Sequence, residues 1–312
     1  LGNKSPDSRS PTPIAARDIT SAVQIVAGSN HTCARLRGGR VACWGTNGRG
    51  QMGDERRERR TRSRLVPHLK GVSALGAGRN HTCAIVKGGE VRCWGDNRYG
   101  QLGDGTRNLR SRPRRVVGMK DAIAIAGGDK HTCAIRRDQT VSCWGSNDSG
   151  ALGNGRRRGK TRPVAVAIVR GVVELKIQGS RTCVRTRDAE IWCWGNGKRK
   201  PYKLGEFPDV ETIGIGLAHI CLLSRAGTVR CSGSNYRGQI GDGTRVLRKA
   251  FVQVATLPKV DMLVTGRRFN CARTVQERMV RCWGDNAYGQ LGYSGLTYAT
   301  VPRLVFDEGV TE

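Results

Sequence analysis

The 312-residue chain contains no run of eighteen apolar residues, so no segment reads as a membrane-spanning helix. It shows no apolar leader and opens on Leu1 rather than Met, as expected of a processed chain or a fragment. No helical period of useful length is present, which leaves strands and turns. Aromatic residues are scarce, at 5%, too thin an interleaving for the base-stacking surfaces of single-strand binders. There is no glycine-rich phosphate cradle ending in Gly-Lys-Ser/Thr, and no Ser/His/Asp or Cys/His constellation stands out. The expectation is a protein that is not an enzyme and uses no cofactor. Acidic residues are also few, 25 Asp+Glu against 54 Lys+Arg, a formal net charge of +29. Such a field favours acidic partners: nucleic acid, anionic glycans, an anionic membrane or an acidic protein.

What is abundant is repeated. His81-Thr82-Cys83-Ala84 is followed by Cys93-Trp94-Gly95, and the same pair of phrases recurs along the chain. All twelve cysteines fall into six such pairs: Cys33 and Cys43, Cys83 and Cys93, Cys133 and Cys143, Cys183 and Cys193, Cys221 and Cys231, Cys271 and Cys282. Five pairs are ten residues apart and the last is eleven. An antiparallel hairpin that opposes Cys83 and Cys93 centres its turn on Gly88, beside Gly89, and glycine allows the positive φ such turns need. Directly opposed residues lie about 4.5–5.5 Å apart at Cα, within the range a disulfide accepts. The alternative is a pair of reduced cysteines packed as small hydrophobes. The absence of an unpaired cysteine favours the bridge. The spacing is unlike the short spacing of zinc ribbons, so no metal is expected there.

Pro13, Pro113, Pro163 and Pro201 each lie twenty residues before the first cysteine of their unit, with Ser63 and Phe251 in the equivalent place in the other two. Pro302 begins a further unit. The steps are 50, 50, 50, 38, 50 and 51 residues, a self-similarity that means stacked or ring-closed units. Each unit reads as four short strands, in the third near 114–117, 122–126, 131–136 and 141–144, broken by glycines and Asp138. Four-stranded units repeated about an axis are propeller blades. No blade buries both faces alone, so neighbours supply the core.

The link Trp94-Gly95-Asp96-Asn97-Arg98-Tyr99-Gly100-Gln101-Leu102-Gly103-Asp104-Gly105-Thr106, with the later P-x-x-V and H-T-C-A phrases, resembles the repeat of the regulator of chromosome condensation family. Trp283 to Gly292 and Gly233 to Thr244 match closely, and the likeness covers nearly the whole chain. The resemblance implies an all-β, seven-bladed propeller. Here the chain supplies an incoming loop at 1–12, six blades over 13–301 starting near 13, 63, 113, 163, 201 and 251, and a first strand of a seventh at 302–312. The 38-residue step removes one link, so a loop there should be about twelve residues shorter. The cysteine pairs resemble secreted bacterial or receptor-ectodomain relatives, and imply a secreted, periplasmic or cell-surface protein in an oxidising compartment.

His31, His81, His131 and His219 occur one per blade at equal phase, an arrangement too dispersed for one metal ion. They read as structural hydrogen-bonding groups. The series Trp44, Trp94, Trp144, Trp194 and Trp283 reads as packing between blades. Basic residues cluster at one phase: Arg56, Arg57, Arg59, Arg60, Arg62 and Arg64; Arg107, Arg110, Arg112, Arg114 and Arg115; Arg156, Arg157, Arg158, Lys160 and Arg162; Lys198, Arg199, Lys200 and Lys203; Arg245, Arg248 and Lys249. Equal phase should bring these loops to one face as a lopsided basic arc. Solvated loops are the plain reading; recurrence at one phase and preference for the forked guanidinium favour an anion-binding surface. The resemblance implies a protein-interaction platform, as in a secreted β-lactamase inhibitor of the same fold. An anionic polymer, nucleic acid or polysaccharide, is the other partner class. The alternative reading is chromatin association or guanine-nucleotide exchange, as in the family's nuclear founder.

Overall fold

Short runs of five to nine residues, bounded by glycine and other turn residues, form strands nearly everywhere. The computed structural model describes residues 10, 12–16 and 18–305. Among them lie 24 strands and one 3-10 turn, Lys87–Gly89. The strands form six four-stranded antiparallel sheets, the blades of a β-propeller. Two compact units divide them, the first holding four blades and the residues from 15 to 206, the second holding two blades, residues 207–305, together with residues 10 and 12–14.

Blade 1 comprises Ala22–Ala27, His31–Leu36, Val41–Gly45 and Arg60–Leu65. Blade 2 comprises Val72–Ala77, His81–Val86, Val91–Gly95 and Arg110–Arg115; blade 3, Ala122–Gly127, His131–Arg136, Val141–Gly145 and Lys160–Ala165. Blade 4 comprises Val172–Gln178, Arg181–Thr186, Glu190–Gly195 and Lys198–Glu206. In the second unit, blade 5 comprises Val210–Ile215, His219–Ser224, Val229–Gly233 and Arg248–Gln253, and blade 6 Val260–Thr265, Phe269–Thr274, Val280–Asp285 and Tyr298–Leu304. Each sheet is a meander in chain order.

The central hairpin of every blade has the expected register. Cys83 opposes Cys93 and His81 opposes Gly95, and the other five copies repeat it. All six cysteine pairs are disulfides with Cα atoms 4.1 Å apart. Gly95 lies at φ 106°, and a Cβ there would fall 2.5 Å from the Asn80 carbonyl oxygen. Only glycine fits where the third strand turns into the link.

The blades are cut at a different phase from the one expected. The strand containing Pro113 pairs with the third strand before it, Cys93 opposite Arg114 and Gly95 opposite Arg110, and so closes blade 2 instead of opening blade 3. The long link returns the chain to the free edge of its own third strand, and Val116 N–H donates to the Val91 carbonyl. A short turn then leads to the next sheet. By the same rule Tyr298–Leu304, with Pro302, is the fourth strand of blade 6. No partial seventh blade forms among the described residues, and the rest of that expected segment, 306–312, lies outside them. Residues 1–9 and 11 of the expected incoming loop also lie outside them.

The core sits in the seams between neighbouring blades. Ile85, Val91, Leu102, Val116 and Met119 of blade 2 and its loops pack with Trp144 of blade 3. Val41, Met52 and Leu69 meet Trp94 in the seam of blades 1 and 2, and Val141 and Leu152 meet Trp194 in that of blades 3 and 4. In the second unit Ile240 and Val254 meet Trp283. Burying a side chain of this size removes it from water at about 25 cal/mol per Å² of apolar area.

Candidate functional site

Every long link is built around one asparagine. Asn97 is fully buried. Its Oδ1 accepts the Leu102 N–H at 3.0 Å, and its Nδ2 donates to Asp104 Oδ1 at 3.1 Å and to the Asn108 carbonyl at 3.0 Å. Asn47, Asn147, Asn235 and Asn286 each hold their own loop in the same way. A buried amide with its donors and acceptor satisfied fixes the loop as firmly as a strand. The links are rigid platforms.

Within each unit the links also tie neighbouring blades together. The Gln51 carbonyl accepts Trp94 Nε1–H at 2.8 Å and the Thr82 hydroxyl at 2.9 Å, both from the following blade. Gln101 repeats this with Trp144 and Thr132. Thr82 spends its one proton on that carbonyl, so His31, 3.0 Å away through Nε2, must donate to it. His81 reaches Thr132, His131 reaches Thr182, and His219 reaches Asn270 Oδ1. The histidines therefore form hydrogen bonds across the seams. Burial pushes His31 and His131 down to about 4. Burial, with repulsion from His31 and His131, pushes His81 down to about 3.

In the first unit the basic tracts run together. Each link starts where its third strand ends and lies over the start of the next blade's fourth strand. The Glu55 N–H donates to Ser111 O, Gly105 to Thr161 O and Gly155 to Arg199 O, each at 3.0 Å. Glu55, Gly105 and Gly155 are thereby placed beside Ser111, Thr161 and Arg199, and the basic residues that follow each of them in the link start from that point. Arg56, Arg57, Arg59, Arg107, Arg156, Arg157, Arg158, Lys198, Arg199 and Lys200 are all exposed. In the second unit the equivalent link meets the Tyr298–Leu304 strand, which opens without basic residues, and Arg245 lies over the Tyr298 ring at 4.9 Å. The fourth-blade link is reduced to a tight turn between Gly195 and Lys198.

Several residues of the expected surface are occupied. Arg110 Nε donates to Asp104 Oδ2 at 2.8 Å, and Arg248 repeats the contact with Asp242. Arg60 faces Asp54 and Glu58. These arginines brace their own links. Burial alone would raise the Asp104 carboxyl, but hydrogen bonds from Thr106 and Arg110 outweigh it and hold it below the usual range. Arg112 is bonded across the seam to Glu55 at 2.6 Å, and Arg115 is bonded to Glu90. The six-residue spacing from Asp104 to Arg110, repeated at 54 to 60 and 242 to 248, carried this information in the sequence. Lys160 has lost the pairing, because Asn154 stands where the others have aspartate.

The sequence pattern described as the regulator of chromosome condensation (RCC1) repeat matches residues 22–51, 72–101, 122–151 and 210–239, and a second pattern of the same description matches 88–135. Over 99 residues the chain is 29% identical to the human X-linked retinitis pigmentosa GTPase regulator, covering 31% of this chain and 10% of that one. The match thus spans about a tenth of that relative's length. Among solved structures, human WBSCR16 superposes with a TM-score of 0.84 at 20% identity, covering 98% of this chain and 89% of that one. Prp20p from Saccharomyces cerevisiae, described with its binding to Gsp1p and histones, superposes at 0.79 and 20% identity, covering 92% and 77%.

Proposed function

We propose, from the premise that this chain is a β-propeller of regulator of chromosome condensation (RCC1) repeats, that it is a non-enzymatic binding scaffold whose Arg-rich links take an acidic macromolecular partner. One observation carries the reading: three successive seams of the first unit set exposed basic tracts edge to edge on links too rigid to scatter them. A link backbone held in place need not be ordered on binding, and the guanidinium fork it carries matches carboxylate, sulfate and phosphate. Protein binding by Prp20p, with Gsp1p and histones as its described partners, supports a protein as the partner by analogy of fold.

The six disulfides support an oxidising compartment, hence a secreted, periplasmic or cell-surface protein. Thiol titration of the native protein is expected to find almost no reactive sulfhydryl; twelve would place the chain in a reducing compartment. The binding surface is tested on an immobilised polyanion. Replacing Arg156, Arg157 and Arg158 by glutamate should release the protein at much lower salt. Retention equal to the unmodified protein's would remove the surface from the function. Nucleic-acid association predicts the opposite ranking of partners, with DNA held more strongly than acidic protein at equal salt.

A further inference from the structure

Four links of the molecule present one structurally equivalent position over the neighbouring blade. It is Glu55 in blade 1, Gly105 in blade 2, Gly155 in blade 3 and Gly243 in blade 5. Each donates its N–H to the same point of the next fourth strand, at 3.0 Å, and each has positive φ, 71°, 84°, 77° and 85°. What each faces differs. Glu55 carries a carboxylate that meets Arg112 at 2.6 Å. Gly105 lies against the Arg162 guanidinium, whose Nε would be 3.3 Å from a Cβ there. Gly155 lies against the Lys200 side chain, Cε at the same distance. Gly243 faces only Val301, 3.9 Å away.

One seam therefore contains its own carboxylate and cation. Two contain the cation with nothing where the carboxylate stood. Among the described residues no acidic side chain is within ion-pair distance of Arg162 or Lys200. The tract beside Lys200, residues 156–158, is wholly basic, and Arg107 flanks Arg162.

We propose that the seams between blades 2 and 3 and between blades 3 and 4 are a pair of matched subsites for the carboxylate side chains of an acidic polypeptide segment. Glu55 is the built-in likeness of the ligand, occupying the third seam. The inference rests on the acidic-partner reading above and names its chemistry. A carboxylate is the group the molecule itself places against the equivalent cation, which favours polypeptide over phosphate or sulfate polymers. Packed sheets lie roughly 10 Å apart. An extended chain advances about 3.3 Å per residue with side chains alternating between its faces, so acidic residues four apart point the same way and would reach both seams.

The test is binding of a synthetic peptide with glutamates at that spacing, measured by fluorescence anisotropy, beside heparin and duplex DNA. Arg162→Gln with Lys200→Gln should weaken the peptide by about two- to fivefold per seam, with smaller losses for heparin and DNA. Glu55→Gln should free Arg112 and strengthen the peptide by a similar factor. Asp188→Asn, the same charge change in an exposed hairpin turn at the other end of blade 4, should leave it unchanged. Gly105→Glu should mimic Glu55 and close its seam. Peptide affinity indifferent to the seam variants, while the protein still binds polyanions through Arg156–Arg158, overturns the subsites and leaves the wider reading standing. Equal losses for heparin, or strengthening by Asp188→Asn as large as by Glu55→Gln, also overturn them. Binding to none of the three ligands overturns both.

Discussion

The His81 ring lies between two blades, its Nε2 2.9 Å from the Thr132 hydroxyl and its face pressed against Gly78, where a Cβ would fall 2.0 Å from Cε1. Such a residue is held neutral, and that has a consequence in acid. His31, His81 and His131 have folded-state values of about 4, 3 and 4 against 6.5 for the free side chain. Between pH 6.5 and 4 the unfolded chain binds protons that the folded chain refuses, so stability falls as pH falls through that window. Each histidine contributes on the order of 3 kcal/mol to the loss. Urea titrations at pH 7, 5 and 4 should show the midpoint dropping progressively, and His131→Phe should flatten the dependence. A midpoint constant down to pH 4 would contradict the neutral seam bond. The recurrence at equal phase made a structural histidine legible in the sequence, but not its partner, because Thr132 lies 51 residues away. The arginines were less legible. Arg60 and Arg110 group with Arg57 and Arg107 by phase, although the recurring six-residue spacing from Asp54 and Asp104 marks them as the ones that close onto their own links.

At the scale of the element, the unit is a hairpin crossed by a disulfide. Closing a ten-residue loop restricts the unfolded chain by about 3 kcal/mol. Replacing Cys133 and Cys143 together by alanine should lower stability by about that amount while leaving the circular dichroism spectrum unchanged at low temperature. A larger loss with altered strand content would mean that the bridge sets the register. The expectation here is that burial of both strands in the seams and the Gly95-type turn already do so. These hairpins were plain in the sequence, since the ten-residue cysteine spacing and the turn residues between place His131–Arg136 opposite Val141–Gly145. The fourth strand was harder. It was expected to begin near Arg114, but Arg110 is already paired, through a bulge that places it opposite Gly95. Its ownership could not be read either, because a strand between two three-stranded groups matches both in pattern. A buried asparagine decides it by folding the link back. Asn97→Ala removes a side chain that satisfies Leu102, Asp104 and Asn108 together, and should cost about 2–3 kcal/mol in denaturant unfolding.

For the whole molecule, the informative quantity is the distribution of charge. The first unit carries tracts of six, five, five and four basic residues; their leading residues lie at the link end of the blades, while Arg115 and Lys203 lie farther along the fourth strands, paired with Glu90 and with Glu190 and Glu206. Glu55 and Glu58 stand among the first tract and Asp104 beside the second, while none falls within 156–162 or 198–203. The second unit has Arg245, Arg248 and Lys249, with Arg248 already paired. The most direct test is polyanion affinity across a salt series, comparing the unmodified protein with two triple variants of equal charge change. One carries glutamate at positions 156, 157 and 158; the other carries it at Arg37, Arg137 and Arg187, exposed in hairpin turns at the opposite ends of their blades. Heparin affinity of the unmodified protein should fall roughly 10³-fold or more between 50 and 200 mM salt, as for six or more phosphate-type contacts. The link variant should lose up to about half of that dependence, three contacts of about six, and the hairpin-turn variant little of it. Equal losses in the two variants would show a diffuse field instead of a surface, and would contradict the binding role of the links.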